Sequence, residues 1–143
     1  MNNTTEVLMA TSMFGKLYTK KILEVASKYN MNKVEVDILL FLNNNPQCDT
    51  AKDIVEVRGI AKSYVSKSID KLVEKKLLSL NVDKKDRRII HLKVESSANT
   101  VIKEALEAQK NYVDTVYNGI SKEEKDILKP IIYKMIKNIK EEL

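Results

Sequence analysis

The sequence predicts a mainly α-helical chain with one small β-hairpin: a winged helix-turn-helix carried between long N- and C-terminal helices. Three observations predict it. Helical periodicity recurs through most of the 143 residues, and only 3 Gly and 2 Pro interrupt it. One alternating stretch, residues 77–94, reads as two strands about a charged turn. Basic charge is concentrated in the middle third, where residues 52–93 hold 12 of the 25 Lys/Arg but only 6 of the 20 Asp/Glu. That local excess of +6 is larger than the +5 of the whole chain, so the remainder contributes no basic excess at all.

Each element has its own local warrant. Residues 5–29 place Val7, Ala10, Phe14, Leu17, Tyr18, Ile22, Val25, Ala26 and Tyr29 on a wide apolar stripe, which predicts a long amphipathic helix. Asn30-Met31-Asn32 breaks it, and Asn32 is a good N-cap for a second helix through Val34, Val36, Ile38, Leu39, Leu40, Phe41 and Leu42. That helix is apolar around most of its girth and belongs at the centre of the fold, until Asn43-Asn44-Asn45-Pro46 stops it. Thr50 with Asp53 forms a capping-box variant that opens a short third helix, 51–57, and Gly59 supplies the turn after it.

In the next helix Val65, Ile69, Leu72 and Val73 share one face, with Ser63, Lys67, Asp70, Lys71 and Glu74 opposite and Tyr64 and Ser66 on the flanks. Two helices joined by a short Gly turn make a helix-turn-helix, whose second helix enters the major groove of DNA. Alone, this helix could equally be an ordinary amphipathic one with a solvated face. The hairpin at residues 77–94 decides between the two. Leu78, Leu80 and Val82 alternate inward, Asp83-Lys84-Lys85-Asp86-Arg87-Arg88 turns the chain, and Ile90, Leu92 and Val94 alternate inward again, leaving Ile89, His91 and Lys93 outward. A basic-tipped hairpin directly after a helix-turn-helix is a wing, and its arginines can reach the narrow, negative minor groove. Ser96 or Ser97 is expected to cap a helix running to about residue 118. Gly119-Ile120 ends it, and Ser121 with Glu124 is a capping box for the last helix. That helix is expected to bury Ile127, Leu128, Ile131, Ile132, Met135, Ile136 and Ile139, and to kink or restart at Pro130.

Composition narrows the function classes. No apolar run reaches the 18 or so residues of a membrane span, and the N-terminus is unlike a signal peptide, so no membrane partner is expected. A single cysteine, Cys48, fits a reducing, cytoplasmic setting and reads as a bystander thiol. One His, one Cys and no Gly-rich phosphate loop leave no catalytic residue pair, no metal cluster and no cofactor site, so an enzyme is not expected. His91, on the outer face of the wing strand, reads as a surface or phosphate-side residue. The first and last two helices are longer and more apolar than a winged helix needs. The economical outcome is that they pack against the same elements of a second chain. Residues 1–31 and 96–143 are then the dimerisation region and 32–95 the DNA-binding region, in one compact chain with no flexible linker. The competing reading is a winged-helix protein-interaction module that binds no DNA, for which a basic wing has little use.

The helix at 34–42, the helix-turn-helix from Thr50 to Lys76, the run Val65-Ser66-Lys67-Ser68-Ile69-Asp70-Lys71-Leu72-Val73-Glu74-Lys75 and the Asp86-Arg87-Arg88 wing resemble the MarR family of bacterial regulators. The order of elements agrees over nearly the whole chain, although the motif itself covers only residues 50–95. The resemblance implies a homodimeric repressor, less often an activator, that binds a palindromic site in double-stranded DNA and is released by a small phenolic or lipophilic effector. Carried over, it makes Lys62, Ser63, Tyr64, Ser66, Lys67 and Lys71 the recognition-helix contacts. Arg88 becomes the minor-groove arginine, Asp86 the residue that orients the wing tip, Arg87 a phosphate contact, and Lys84 and Lys85 further basic groups at the tip. Arg58 stands where the family packs an apolar residue and joins the candidate contacts. Lys76 stands where a Gly usually ends the recognition helix. Met9, Met13, Phe14, Leu17 and Tyr18 are the candidates to line an effector pocket between the dimer helices and the winged module. Their alternative role is plain core and dimer packing.

Overall fold

The structure is a computed structural model describing residues 1–143. Its elements are α1 (Asn3–Lys28), α2 (Lys33–Asn44), α3 (Ala51–Arg58), α4 (Lys62–Glu74), β1 (Leu78–Val82), β2 (Ile90–Val94), a 3-10 turn at Ser96–Ala98, α5 (Asn99–Val116) and α6 (Lys122–Glu142). No helix is long and apolar enough to cross a membrane. The chain forms two compact units, Met1–Tyr112 and Val113–Leu143.

In the first unit, local chemistry sets most boundaries. Asn32 accepts from the Glu35 N–H while Glu35 accepts from the Asn32 N–H, and Thr50 and Asp53 do the same for α3, so both helices start on reciprocal caps. Gly59 closes α3 at φ 65°, a left-handed conformation that glycine adopts without penalty. α4 ends in the geometry of a Schellman cap, the Leu77 N–H reaching back to the Leu72 carbonyl, with Lys76 rather than glycine at φ 60°. The left-handed residue is therefore kept although its side chain makes it costly. Ser97 does not cap α5. Its hydroxyl donates to the Lys76 carbonyl at 2.6 Å, and the 3-10 turn leads straight into α5.

α2 is the axis of the core. Val36, Ile38, Leu39, Leu40, Phe41 and Leu42 are buried, against Ile22, Val25 and Ala26 of α1, Ile54 of α3, Val65, Ile69 and Leu72 of α4, and Val101, Ile102 and Ala105 of α5. Each Val, Leu, Ile or Phe side chain among them contributes roughly 1.5–3 kcal/mol on full burial. The hairpin is antiparallel, with Leu78 opposite Val94 and Val82 opposite Ile90. Leu78 and Leu92 are buried in the core and Val94 packs against it, as expected; Leu80, Val82 and Ile90, also expected inward, are exposed by 44–56% because the hairpin runs out past the helices.

In the second unit Ser121 and Glu124 form the expected capping box. α6 runs through Pro130 as one helix rather than restarting there. A helix of 21 residues can absorb the one hydrogen bond that proline removes. None of its apolar residues is buried in the single chain, contrary to the expectation for Ile127 to Ile139; Ile127, Ile131, Met135 and Ile139 are exposed by 42–65%.

Candidate nucleic-acid interface

α4 is amphipathic as its sequence requires. Val65, Ser68, Ile69 and Leu72 are buried, while Lys62, Ser63, Tyr64, Ser66, Lys67, Asp70 and Lys71 are exposed. The N-cap Ala61 has no side chain to satisfy the first-turn N–H groups, which makes that end of α4 suited to an anion. The far end is anchored. Lys75 donates to the Asn30 carbonyl at 2.9 Å and lies 3.4 Å from buried Glu35, tying α4 to the α1–α2 turn.

The wing tip is built by two aspartates. Asp83 Oδ1 accepts the Lys85 and Asp86 N–H groups, both at 2.8 Å, which folds the turn on itself. Asp86 accepts from the Arg88 main chain at 3.0 Å and from its guanidinium at 3.1 and 3.0 Å. Arg88 is thus held by a two-pronged contact while its side chain remains 90% exposed. The Arg88 hydrogen bond holds the Asp86 carboxyl below the usual range, and Asp86 in turn raises Arg88, so both stay charged. Lys84, Lys85 and Arg87 are exposed around it. α4 and the tip together present exposed cations on adjacent elements, which is the footprint of a duplex binder.

Arg58 has a different setting. Its Nη2 lies 3.7 Å from Asp37, a carboxylate only 2% exposed in the middle of α2. Asp37 also pairs with Lys33 and accepts from the Tyr18 hydroxyl at 3.2 Å, and Gln109 donates to Tyr18 at 3.1 Å. Burial, the main cause, raises the Tyr18 pKa. This network joins α1, α2, α3 and α5. Helical periodicity does not reveal this network; its one trace in the sequence is an aspartate within the apolar run at residues 36–42. Of the pocket candidates, Leu17 and Tyr18 are half-buried, while Met9, Met13 and Phe14 are exposed on α1.

His91 is more than the surface residue its strand position suggests. Its Nδ1 lies 2.9 Å from Asp49 and its Nε2 2.8 Å from Asp83. These two bonds raise the His91 pKa, and the bond to His91 together with the turn N–H groups holds the Asp83 carboxyl at about 2.

Residues 29–89 match the sequence model described as the MarR family. An HTH-type transcriptional regulator of Bacillus subtilis, YwaE, is 26% identical over 140 residues, spanning 96% of this chain and 81% of the relative. The fold is similar to that of a MarR family regulator of Listeria monocytogenes complexed with 26mer DNA, with a TM-score of 0.83 at 15% identity over 99% of this chain and 92% of that one. It is similar also to MepR of S. aureus in a DNA complex, with a TM-score of 0.73 at 18% identity over 97% of this chain and 96% of the other.

Proposed function

We propose that this chain is a regulator of the MarR family: a sequence-specific, homodimeric repressor that binds a palindromic operator and is released by a small ligand. The observation that carries this reading is the pairing of an exposed, basic α4 face with an Asp86-held Arg88 on the adjacent wing. In this reading Lys62, Lys67 and Lys71 grip phosphates, and Ser63, Tyr64 and Ser66 read base edges in the major groove. Lys84, Lys85 and Arg87 meet the backbone beside the wing, and Arg88 enters the minor groove. Arg58, committed to Asp37, acts on the orientation of α3 as much as on DNA.

A repressor of this kind needs two copies whose recognition helices lie about 34 Å apart, one helical turn, so the operator is a palindrome. Residues 1–31 and 96–143 form the dimer in this reading and 32–95 the DNA-binding region. The bare apolar faces of α1 and α6 support it, because single chains rarely leave such surface uncovered. The effector would sit against Met13, Phe14, Leu17 and Tyr18. The support for that position is the chain of contacts from Tyr18 through Asp37 to Arg58, by which an occupant beside α1 is felt at the end of α3, next to the Gly59 turn of the helix-turn-helix. Binding that favours a different α4 separation would release the operator.

Selection of bound duplexes from a random pool tests the reading. A palindromic consensus with half-sites about one turn apart is expected. Failure to bind any duplex even at low salt would refute it.

A further inference from the structure

The wing is held to the helices by less apolar contact than its length suggests. Its apolar anchorage ends at Leu78 and Leu92. Beyond them, Leu80 and Ile90 stand over an open hollow of about 510 Å³ shared with Ala51, Val55, Val65 and Ile69. Packing therefore does not fix the tip. Two polar contacts act at the edge of that anchorage and beyond it. The Leu92 N–H donates to the Asp49 carbonyl at 2.7 Å, and the His91 imidazole lies between the Asp49 and Asp83 carboxylates. Asp49 directly precedes Thr50, the N-cap of α3, so this bridge ties the wing turn to the first residue of the helix-turn-helix.

We propose that His91, as an imidazolium bridging Asp49 and Asp83, is the positioning residue that sets the wing against the helix-turn-helix, so that the grip on DNA weakens when His91 loses its proton. The inference rests on the DNA-binding reading proposed for this chain. Its chemical basis is the donor count. An imidazolium carries two N–H donors and satisfies both carboxylates, whereas neutral imidazole carries one donor and turns a lone pair toward the other carboxylate. The bridge therefore exists in full only in the charged form.

The surroundings favour that form. The charged groups facing the ring are Asp49 from the loop before α3, Asp83 from the wing turn, and Lys93 on the same strand, which lines the hollow beside it. The end of α2 contributes only uncharged Asn43 to that hollow, and the cross-strand neighbour is Asn81. Hydrogen bonds to Asp49 and then Asp83 raise the His91 pKa above its ordinary 6.5. A raised pKa means that the contribution is complete below the ordinary value and is lost as pH rises through the raised one. The loss thus falls above the ordinary 6.5, on the side to which the two carboxylates shift the imidazole.

His91 is the only histidine, so its imidazole resonances can be followed without ambiguity. The experiment pairs a titration of the free protein by NMR, with exchange rates of the β1 and β2 amides, and duplex affinity by fluorescence anisotropy at constant ionic strength. Wild-type protein should titrate above 6.5 and lose wing protection through that transition. Its affinity should fall by about tenfold across the transition, the scale of one charge-assisted hydrogen bond. His91→Gln should bind weakly with a flat profile, and His91→Arg, charged throughout, should bind tightly with a flat profile. Asp83→Asn keeps the acceptor for the turn amides and should lower the imidazole pKa. A wild-type pH profile in His91→Gln, or an imidazole that titrates at or below the ordinary value, would overturn the proposal. No binding by wild-type protein at any pH would overturn the DNA reading and with it the consequence for DNA. The imidazole pKa and the wing amides, measured without DNA, would then still decide for or against the bridge itself.

Discussion

Replacing Ile131 and Met135 by alanine should take the proposed dimer apart. The two side chains lie one turn apart on α6 and are exposed by 42% and 55% in the single chain. Full burial of an isoleucine or methionine stabilises by roughly 1.5–3 kcal/mol, so about half of that, ~1 kcal/mol per side chain, remains to be gained on association. A two-fold interface counts each position twice, which makes the loss on the order of 4 kcal/mol, or about a thousandfold in the dimer dissociation constant. Alanine is the better helix former, so α6 itself should persist. Sedimentation equilibrium over a concentration series measures the constant, and far-ultraviolet circular dichroism checks the helix content. The reasoning is wrong if the double variant dimerises with wild-type affinity, or if wild-type protein is a monomer at concentrations where it binds duplex.

Three further outcomes test other parts of the molecule. Arg88→Ala should weaken operator binding by about 10- to 100-fold, and Asp86→Ala by less, because Arg88 then keeps its charge and loses only its orientation; equal affinity for wild type and Arg88→Ala would count against the wing. Lys67→Ala should reduce the slope of log affinity against log salt by about one, read from anisotropy titrations at several salt concentrations, and an unchanged slope would remove Lys67 from the phosphate contacts. Lys76→Gly should raise stability to urea by roughly 0.5–1 kcal/mol. A left-handed non-glycine residue costs about 1–2 kcal/mol, of which the greater unfolded-chain entropy of glycine cancels part. A destabilised variant would show that the φ of 60° at Lys76 is not a strain.

Much of this protein was legible in its sequence. The caps at Asn32, Thr50 and Ser121, the turn at Gly59, the central α2 and the alternating strands depend on neighbours within a few residues, and local chemistry specifies them. The basic middle third and the Asp86-Arg88 spacing were equally readable, since charge and short-range pairing need no tertiary partner. Only the tertiary structure decided what faces each side chain across the fold. His91 lies 42 residues from Asp49, and the strand pattern could say that it points outward but not that two carboxylates wait for it there. Arg58 looked like a surface cation until Asp37 of α2 was brought beside it. The strand pattern likewise placed Leu80, Val82 and Ile90 inward, yet the hairpin extends past the body that would have covered them. Periodicity reports which residues share a face, whereas burial and pairing depend on what the rest of the chain sets against that face.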